Sequence, residues 1–465
     1  MLITKSETCF KVTRRSHAIP YSRMLKTALA RSTWRHQPGP PVRAVLTRQL
    51  VTLAIESSCD DTSVAILEKD AKQRAGLHFH EKVTSDNLKY KGVHPIVALE
   101  SHEQNLALLV QRALKSLPTS ADGQNVYNKP DFVTVTRGPG MRSNLSTGLN
   151  TAKGLAVAWQ VPLVAVNHMQ AHALTPRLVS ALQTTKTPSP ILKPEFPFLS
   201  LLVSGGHTML INSQSLTDHP TLASTVDIAI GDCIDKIARY VLPQDVLDAS
   251  KSTMYGPVLE NFAFPSGAPD YNYTAPASRQ EEIQPKSSSY GWSMTPPFAE
   301  TRAMKYSFVG LDSTIRRIME TRDFLVSLDG RRDLARIAMS VAFEHLASRV
   351  VLALEELSRS SRGAAKPIDT LVVSGGVAAN RFLRHVLRAF LNARGYAQIE
   401  LVFPPLDLCT DNAAMIAWAG MEMYEAGYTS ELSCQALRKW SLDPSAPDGG
   451  ILGVSGWKRR SIELT

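Results

Sequence analysis

Apolar residues in this chain fall into short runs separated by turns of small or polar residues, a pattern typical of β-hairpins. One such unit lies near residue 50 and another near residue 200. Each unit is a strand, a turn and a returning strand. The first consists of Val51–Glu56, Ser57–Thr62 and Ser63–Leu67. The second consists of Phe198–Val203, Ser204–His207 and Thr208–Ile211. The repetition predicts an internally duplicated protein.

Helical periodicity occupies much of the sequence after each hairpin. Amphipathic or alanine-rich runs predict helices at Ile96–Leu117, Thr147–Trp159, Asp333–Leu357 and Ala413–Met423. A further apolar strand, Asp369–Ser374, leads through Gly375 and Gly376 into a run that predicts a helix from Val377. Strand units that alternate with helices indicate an α/β fold of two lobes with a cleft between them.

Changes in composition mark the boundaries of the predicted domains. The proline-rich segment 184–197 is the predicted linker between the lobes. Residues 249–301, crowded with proline, serine, glycine and tyrosine, are predicted to be a long irregular excursion. The predicted units are a transit peptide at 1–48, an N-terminal lobe at 49–190 completed by a helix at about 410–440, a second lobe at 191–408, and a C-terminal tail at 441–465.

The net charge of +9 comes from the first fifty residues, which hold ten lysines and arginines and one acid, Glu7. The rest of the chain is balanced, so any RNA site has to be a local patch. The basic, acid-poor leader predicts mitochondrial targeting, although a basic tail without that role has the same composition. Five cysteines without a C-x-x-C pair argue against a disulfide framework and suit a reducing compartment. No apolar run reaches 18 residues, so no membrane span is expected.

Two histidines four residues apart, His168 and His172, lie in a helical stretch and share one helix face. That spacing can hold a divalent metal, as it does in H-E-x-x-H zinc peptidases. Here Met169 and Gln170 stand where the glutamate base should begin. Asp411, just before an apolar helix, is either an N-cap or, if that helix packs beside the histidines, the third ligand of the metal.

Three turns have residue types that could bind phosphate or nucleotide. Glu56–Thr62 combines small hydroxyl residues with paired acids, which suits either a metal–phosphate cradle or an Asx turn that binds only its own backbone. Ser204–Thr208 contains two glycines, which permit close approach of a ligand but are also common in hairpin turns. Ser374–Asn380 leads from strand into helix and leaves helix N–H groups free for an anion or a nucleotide.

Eight motifs occur in an order that resembles a known enzyme family. They are I-E-S-S-C-D-D-T-S (55–63), G-P-G-M-R-S-N-L-S-T-G-L-N-T-A-K-G-L-A (138–156), N-H-M-Q-A-H (167–172), L-V-S-G-G-H-T (202–208), G-D-C-I-D-K-I-A-R (231–239), S-F-V-G-L-D-S (307–313), V-S-G-G-V-A-A-N-R (373–381) and C-T-D-N-A-A-M-I-A (409–417). Together they resemble the universal tRNA threonylcarbamoyltransferases, once named O-sialoglycoprotein endopeptidases, over about residues 51–440. With the basic leader, the similarity is greatest to the mitochondrial branch of that family.

The resemblance implies an ASKHA fold, the duplicated two-lobe architecture with a central cleft found in actin, hexokinase and Hsp70. It implies transfer of the threonylcarbamoyl group from threonylcarbamoyl-AMP, supplied by a separate synthase, to N6 of the adenosine 3′ of the anticodon. The substrates would be tRNAs that read ANN codons, and the compartment would be the mitochondrial matrix. A homodimer and one divalent metal ion per subunit, iron or zinc, are also implied.

The resemblance further assigns roles to residues that match the family's motifs. The implied site residues are His168, His172 and Asp411 for the metal; Leu202, Val203, Ser204, Gly205 and Gly206 for the adenylate phosphate; Asp235, Gly256, Glu260 and Asn380 for ribose and adenine; and Asp60 as the acid that assists the reaction. The sequence departs from the family pattern in three places. The family's G-G-P is altered to Tyr255-Gly256-Pro257, the lysine of its S-G-L-K motif is Asp312, and its P-E-x-x-S-R-x-H motif is altered to the sequence of Pro95–His102.

The missing glutamate is consistent with acyl transfer. A peptidase needs a base that activates water at the metal. Transfer from a mixed anhydride to an amine already has a good leaving group, so its base only has to accept the amine proton. Asp60 is expected to supply that base from across the cleft. A metallopeptidase and an ASKHA kinase or ATPase are the alternative functions.

Overall fold

A computed structural model describes residues 49–460 except for 91, 119–128, 184–190, 251–252, 322–326 and 361–365. The predicted transit peptide at 1–48 and the first half of the predicted linker lie outside the described residues. The strands are β1 (Leu50–Glu56), β2 (Asp61–Lys69), β3 (Ala75–Thr84), β4 (Phe132–Gly138), β5 (Leu163–Asn167), β6 (Phe198–Val203), β7 (Thr208–Ser213), β8 (Thr221–Thr225), β9 (Lys286–Ser287), β10 (Ser293–Met294), β11 (Lys305–Tyr306), β12 (Thr370–Ser374), β13 (Glu400–Val402), β14 (Tyr428–Ser430) and β15 (Trp457–Arg459).

The α-helices lie mostly after the hairpin units, as the periodicity predicts. They are α1 (Pro95–Leu114), α2 (Arg142–Trp159), α3 (His168–Gln183), α4 (Ile230–Val241), α5 (Gln244–Asp248), α6 (Gly256–Ala263), α7 (Arg279–Glu282), α8 (Val309–Thr321), α9 (Leu328–Ser360), α10 (Arg381–Ala393), α11 (Leu406–Cys409), α12 (Ala413–Glu425) and α13 (Gly450–Gly453). All four helices predicted from periodicity are present, with ends that differ by a few residues.

Two large sheets share one pattern. Within the described residues, the first has the strand order β15-β14-β5-β4-β1-β2-β3 and the second has the order β11-β8-β7-β6-β12-β13. In the first sheet β1, β2 and β3 are antiparallel neighbours, whereas β4 and β5 continue parallel to β1. In the second, β6, β7 and β8 are antiparallel neighbours, and β12 and β13 continue parallel to β6. The duplication predicted from the two hairpins is therefore confirmed, and the fold class is ASKHA.

Helices α3 and α12 form a layer between the two sheets. Trp418 of α12 and Leu174 of α3 belong to an apolar core that also contains Phe132 of the first sheet and Phe198 of the second. Helix α12 is apolar on nearly every face, as a helix enclosed on all sides must be. Helices α1 and α2 pack on the outer face of the first sheet, while α4, α8, α9 and α10 pack on that of the second.

One local prediction is wrong, and one edge strand was not predicted. The helix after β12 begins at Arg381 rather than Val377, because Gly376–Ala379 forms a 3-10 turn first. Strand β3 is missing from the predictions since it lies at the edge of its sheet and exposes much of its length, so its apolar alternation is weak.

The C-terminal residues are not a tail. Strands β14 and β15 extend the first sheet, and Trp440 and Ile451 are buried in the middle-layer core. The helix expected over about 410–440 is α12, which ends at Glu425. Tertiary pairing of very short strands determines this region, and short strands give little periodicity to detect.

The excursion at 249–301 is integrated into the second lobe where the structure describes it. It contains α6, α7 and the small β9–β10 hairpin, and it contributes Phe264, Tyr271 and Trp292 to the core of that lobe. Residues Leu328–Arg359 of α9 form the one described helix long and apolar enough to cross a membrane, and 89% of its apolar window is buried. It packs against α4, α6 and α10 as the central helix of the second lobe.

Candidate metal centre and ligand cleft

Helix α3 begins at His168, directly after β5, and its first turn is held by Asn167. The Oδ1 atom of Asn167 accepts hydrogen bonds from the backbone N–H groups of Met169 and Gln170 at 2.9 and 3.2 Å. Such a side-chain cap satisfies N–H groups that the helix itself leaves without partners. The capped turn directs His168 and His172 to the same side, with their ring centroids 4.7 Å apart.

Asp411 lies just before α12 and faces these histidines. The N-cap of α12 is Asn412, whose side chain accepts a hydrogen bond from the N–H of Met415 at 2.9 Å. Asp411 is therefore not the N-cap of α12, which was one of the two roles predicted for it, and its carboxylate is available to a metal. Its Oδ1 lies 3.1 Å from Nε2 of His172 and 3.4 Å from Nε2 of His168.

The donor set fits a divalent transition metal. One donor atom from each of His168, His172 and Asp411 lies within 4.8 Å of the other two. Ligands bound tetrahedrally at about 2.0–2.1 Å lie about 3.3–3.4 Å from one another, close to the observed separations from the Asp411 oxygen. Two imidazoles and one carboxylate are donors that zinc and iron accept, with positions left for substrate. The three residues predicted as ligands therefore converge.

Glu56, predicted only as the first residue of the possible phosphate-binding turn Glu56–Thr62, contacts the side of His168 that faces away from Asp411. It is fully buried at the end of β1, and its Oε2 accepts a hydrogen bond from Nδ1 of His168 at 3.1 Å. Its other oxygen accepts the N–H of Ser58 at 2.5 Å, and the hydroxyl of Thr136 also donates to the carboxylate. A charged residue at the end of an otherwise apolar strand was the available signal in the sequence.

The charges of this cluster favour a cation. Burial would lower the pKa of His168, but the carboxylates of Asp411 and Glu56 outweigh it and raise that pKa to about 10. Burial would raise the pKa of Asp411, yet His168 and His172 hold it well below its usual value. Two ionised carboxylates thus face two imidazoles, and a metal ion at their Nε2 atoms would take the place of the proton.

The turn from β6 to β7 is open toward the cleft. The hydroxyl of Ser204 accepts hydrogen bonds from the N–H groups of Gly206 and His207 at 3.3 and 3.0 Å. A Cβ atom on Gly205 or Gly206 would meet no protein atom within 4 Å, and neither residue has a positive φ. The protein itself therefore does not require glycine at these two positions, and the space beside them suits a ligand that lies against the backbone.

Leu202 and Val203, predicted to lie along the same ligand, are the last residues of β6, and their side chains are buried. Only their backbone can face the cleft. Burial on both faces of a central strand explains why these positions are apolar.

Gly231, which the sequence analysis did not single out, packs the start of α4 against this turn. Its N–H donates to the carbonyl of Ser204 at 3.1 Å. A Cβ atom on Gly231 would lie 2.7 Å from both the nitrogen of Gly205 and the oxygen of Ser204. A helix N-terminus beside a glycine turn is a favourable place for an anion.

The four residues predicted to hold ribose and adenine form one cluster on α4, α6 and α10. Oδ1 of Asp235 accepts a hydrogen bond from the N–H of Gly256 at 2.9 Å. One turn further along α6, Glu260 accepts the N–H groups of Arg381 and Phe382 at 2.7 and 2.9 Å. Asn380 is the N-cap of α10. Burial raises the pKa of Asp235 to about 6 and also raises that of Glu260.

Asp60 and Asp61 have different environments although they are adjacent. Asp61 is bound by side chains, since its carboxylate accepts hydrogen bonds from Lys82 at 2.9 Å and from Thr84. Asp60 is 8% exposed, and burial together with the charges of Asp61 and Asp411 raises its pKa. Asp60 therefore lies within the electrostatic range of the metal centre with an elevated pKa, as a proton acceptor requires.

Helix α3 offers no carboxylate to the metal centre, because it contains neither aspartate nor glutamate. Gln170, near the position of a peptidase base, is fully buried and donates to the carbonyl of Leu216 at 2.8 Å. Met169 is buried in the middle-layer core. The helix thus offers a metal only its two histidines, and the geometry argues against a zinc peptidase of the H-E-x-x-H type.

Comparisons with known proteins show which family this chain resembles. The sequence profile of the TsaD family, described as tRNA N6-adenosine threonylcarbamoyltransferase, matches residues 78–418. The chain is 36% identical over 426 residues to the mitochondrial tRNA N6-adenosine threonylcarbamoyltransferase of Schizosaccharomyces pombe, covering 88% of this chain and 89% of the relative. It is 34% identical over 400 residues to the tRNA N6-adenosine threonylcarbamoyltransferase of Brucella ovis, covering 85% and 96%. Among solved structures, HypF of T. kodakarensis covers 84% of this chain and 49% of its own, with a TM-score of 0.49 and 14% identity.

Proposed function

The chain belongs to the tRNA N6-adenosine threonylcarbamoyltransferase family, and from that premise we propose that its donor is threonylcarbamoyl-AMP. Family membership makes it an acyltransferase that modifies N6 of an adenosine in tRNA. In the proposal the acceptor is the adenosine 3′ of the anticodon in tRNAs that read ANN codons. A separate synthase makes the donor from threonine, bicarbonate and ATP.

The main support for the proposal is the position of the turn Ser204–His207. This turn lies between the candidate metal ligands and the cluster predicted to hold ribose and adenine. On one side lie His168 and His172. Burial lowers the pKa of His207, which is in the turn, to about 4, and the nearby charges of these two histidines contribute to the lowering. On the other side, the turn contacts Gly231 of α4, the helix that bears Asp235. A mixed anhydride of adenylate has its phosphate between a nucleoside and an acyl group, which is the same order of parts.

The metal ligands in this proposal are His168, His172 and Asp411, with iron or zinc as the ion. When bound, the metal would supply Lewis acidity that stabilises negative charge on the carbonyl or phosphate oxygens of the donor. Glu56 would fix the tautomer of His168 so that Nε2 is available as the ligand atom.

The residues of this chain have defined tasks in the transfer. The Ser204–Gly206 backbone and the N-terminus of α4 would hold the phosphate, while Asp235 and Glu260 would orient the nucleoside. The N6 amine of the acceptor attacks the carbamoyl carbonyl, the bond to the phosphate oxygen breaks, and AMP leaves. Asp60 accepts the proton that the amine loses, for which its raised pKa is suited.

Reconstitution tests this function. The purified protein is incubated with a tRNA that reads an ANN codon and with chemically prepared threonylcarbamoyl-AMP, and the modified nucleoside is measured by mass spectrometry. We expect modification at the adenosine 3′ of the anticodon, and none when that adenosine is replaced by guanosine. Absence of modification with active donor would refute the proposal. In a separate assay with ATP and a small alcohol, phosphoryl transfer to the alcohol would favour an ASKHA kinase instead.

We place the enzyme in the mitochondrial matrix as a homodimer. The relative from Schizosaccharomyces pombe is a mitochondrial form, and the basic leader has the composition of a transit peptide. A fusion of residues 1–50 to a fluorescent protein tests the compartment, and light scattering of the purified chain tests the dimer.

A further inference from the structure

A cavity of about 440 Å³ lies beside the metal centre. It is separate from the cluster formed by Asp235, Gly256, Glu260 and Asn380. Met169, which follows the ligand His168, forms part of its wall, as do His207 and Met209 from the second lobe. The remaining wall comes from Pro139 and from residues between 438 and 448. The cavity therefore borders both the first turn of α3 and the turn between β6 and β7.

The C-terminal wall of the cavity is fixed to both lobes. Leu437 donates its N–H to the carbonyl of Arg137 at 2.8 Å, and a Cβ atom on Gly138 would lie 2.1 Å from the oxygen of Leu437. Asp443 accepts the N–H of Thr221 in the second lobe at 3.0 Å. These contacts fix the position of the C-terminal wall relative to both lobes.

The mouth of the cavity is basic and its floor is apolar. Arg438 and Lys439 are exposed there, and neither has an ion-pair partner in the part of the chain that the structure describes. The one acid of the wall, Asp448, is bound by backbone N–H groups of Ser441 and Gly450 at 2.7 and 3.2 Å. On a body whose charge is balanced, this pair is a local patch suited to phosphate.

We propose that this cavity receives the acceptor adenosine of the tRNA, with Arg438 and Lys439 holding the phosphates that flank it. The inference rests on the proposed function and adds the site of its second substrate. The volume is in the range of sites for small molecules, about 300–1,000 Å³, and the apolar floor suits the faces of a base turned out of a loop. A threonyl group is smaller and polar, and it would leave the apolar surface of Met209 and Pro447 uncovered.

The basic mouth is tested with Arg438→Ala combined with Lys439→Ala in the full-length protein. We expect the KM for tRNA to rise at least tenfold while the KM for threonylcarbamoyl-AMP and the bound metal stay unchanged. The salt dependence of tRNA binding should weaken by about 1.4 in the log–log slope, since two contacts to single-stranded phosphates are lost. Lys458→Ala, an exposed basic residue of the same region outside the cavity, is the matched control and should behave as wild type.

The cavity itself is tested by filling it with Ala446→Phe, using Leu452→Phe, at an exposed position outside the cavity, as the matched control. Ala446 is half-buried in the wall, so a phenyl ring there would occupy the space for the base. We expect kcat/KM for tRNA to fall at least tenfold with an unchanged KM for the donor, in protein whose Tm and metal content match wild type.

The outcomes separate the two proposals. If wild type modifies tRNA but neither variant changes the tRNA parameters, the cavity is not the acceptor site and the proposed function stands. If Ala446→Phe raises the KM for the donor and leaves tRNA binding intact, the cavity holds the threonyl group instead. If wild type itself fails to modify tRNA from active donor, the proposed function has failed.

Discussion

Nδ1 of His168 donates a hydrogen bond to the buried carboxylate of Glu56 across 3.1 Å, and this contact leaves Nε2 facing Asp411. Glu56→Gln preserves the shape of the side chain and removes its charge. Because carboxylates behind metal-binding imidazoles increase their basicity, we expect metal affinity to fall about 10–100-fold. Competition with a chelator measures the effect. Glu68→Gln, which alters a carboxylate paired with His78 away from the centre, should leave the affinity unchanged.

Removing both imidazoles should abolish the metal centre. His168→Ala together with His172→Ala leaves Asp411 as the single ligand, which cannot retain a transition metal at micromolar concentrations. Elemental analysis of the purified protein should find no bound metal above background. His78→Ala removes a histidine from the surface pair with Glu68 and should retain the wild-type metal content. A full equivalent of metal in the double variant would show that the ligands lie elsewhere.

Asp60→Asn should lower transfer to tRNA by about 10²–10⁴-fold while donor binding and metal content persist. The pKa of Asp60 is raised, so its proton-accepting form is lost as pH falls through a value above 3.8. The kcat of wild type should therefore decline on the acidic side, and the Asn variant should lack that limb. Asp61→Asn removes a neighbouring negative charge and should move the limb to lower pH. Wild-type transfer by Asp60→Asn would remove Asp60 from catalysis.

Gly231→Ala should disturb the open turn without touching the metal. Its added methyl would lie 2.7 Å from the backbone of Ser204 and Gly205, which cannot yield without moving the turn. We expect the KM for the donor to rise about tenfold or more. Gly154→Ala is the matched control, since no atom lies within 4 Å of its Cβ position in α2. That variant should stabilise the protein by about 0.5–1 kcal/mol and keep its kinetics.

His219 should make the protein less stable in mild acid. Burial lowers its pKa in the folded protein to about 4, against about 6.5 when unfolded. As pH falls from 6.5 to 4 the unfolded chain binds the proton first, so up to about 3 kcal/mol of stability is lost. In urea unfolding at several pH values, His219→Asn should show a smaller loss over that window than His78→Asn. Equal losses in both variants would contradict the assignment.

The sequence allowed prediction of some of the elements whose burial is simple, although the equally buried β4 and β5 were not among them. Phe198–Val203 coincides with β6 residue for residue, because a strand buried on both faces is an uninterrupted apolar run. Strand β3 and the two short strands β14 and β15 carry no such signal, and their position depends on pairing with distant parts of the chain. The start of α10 was misplaced because Asn380 and Glu260 cap it together, and the second cap is 121 residues away.

The site shows the same division. His168 and His172 are detectable from local spacing, and Asp411 from its place before an apolar helix, because both helices belong to one buried layer. Glu56 and Gly231 contact residues that are distant in the sequence, so local periodicity could not predict their roles. Glu56 meets His168 across 112 positions, and the need for glycine at 231 exists only once α4 lies against the turn after β6.

The first sheet joins the earliest described strand, Leu50–Glu56, to the latest, Trp457–Arg459. A chain that emerges from a ribosome, or enters an organelle with its N-terminus leading, cannot complete this sheet until residues 457–459 have appeared. The main strands of the second sheet lie between residues 198 and 402 and are available sooner. Until residues 428–430 have emerged, the edge of β5 has no partner from β14, so the incomplete lobe exposes a strand edge that can pair with other chains.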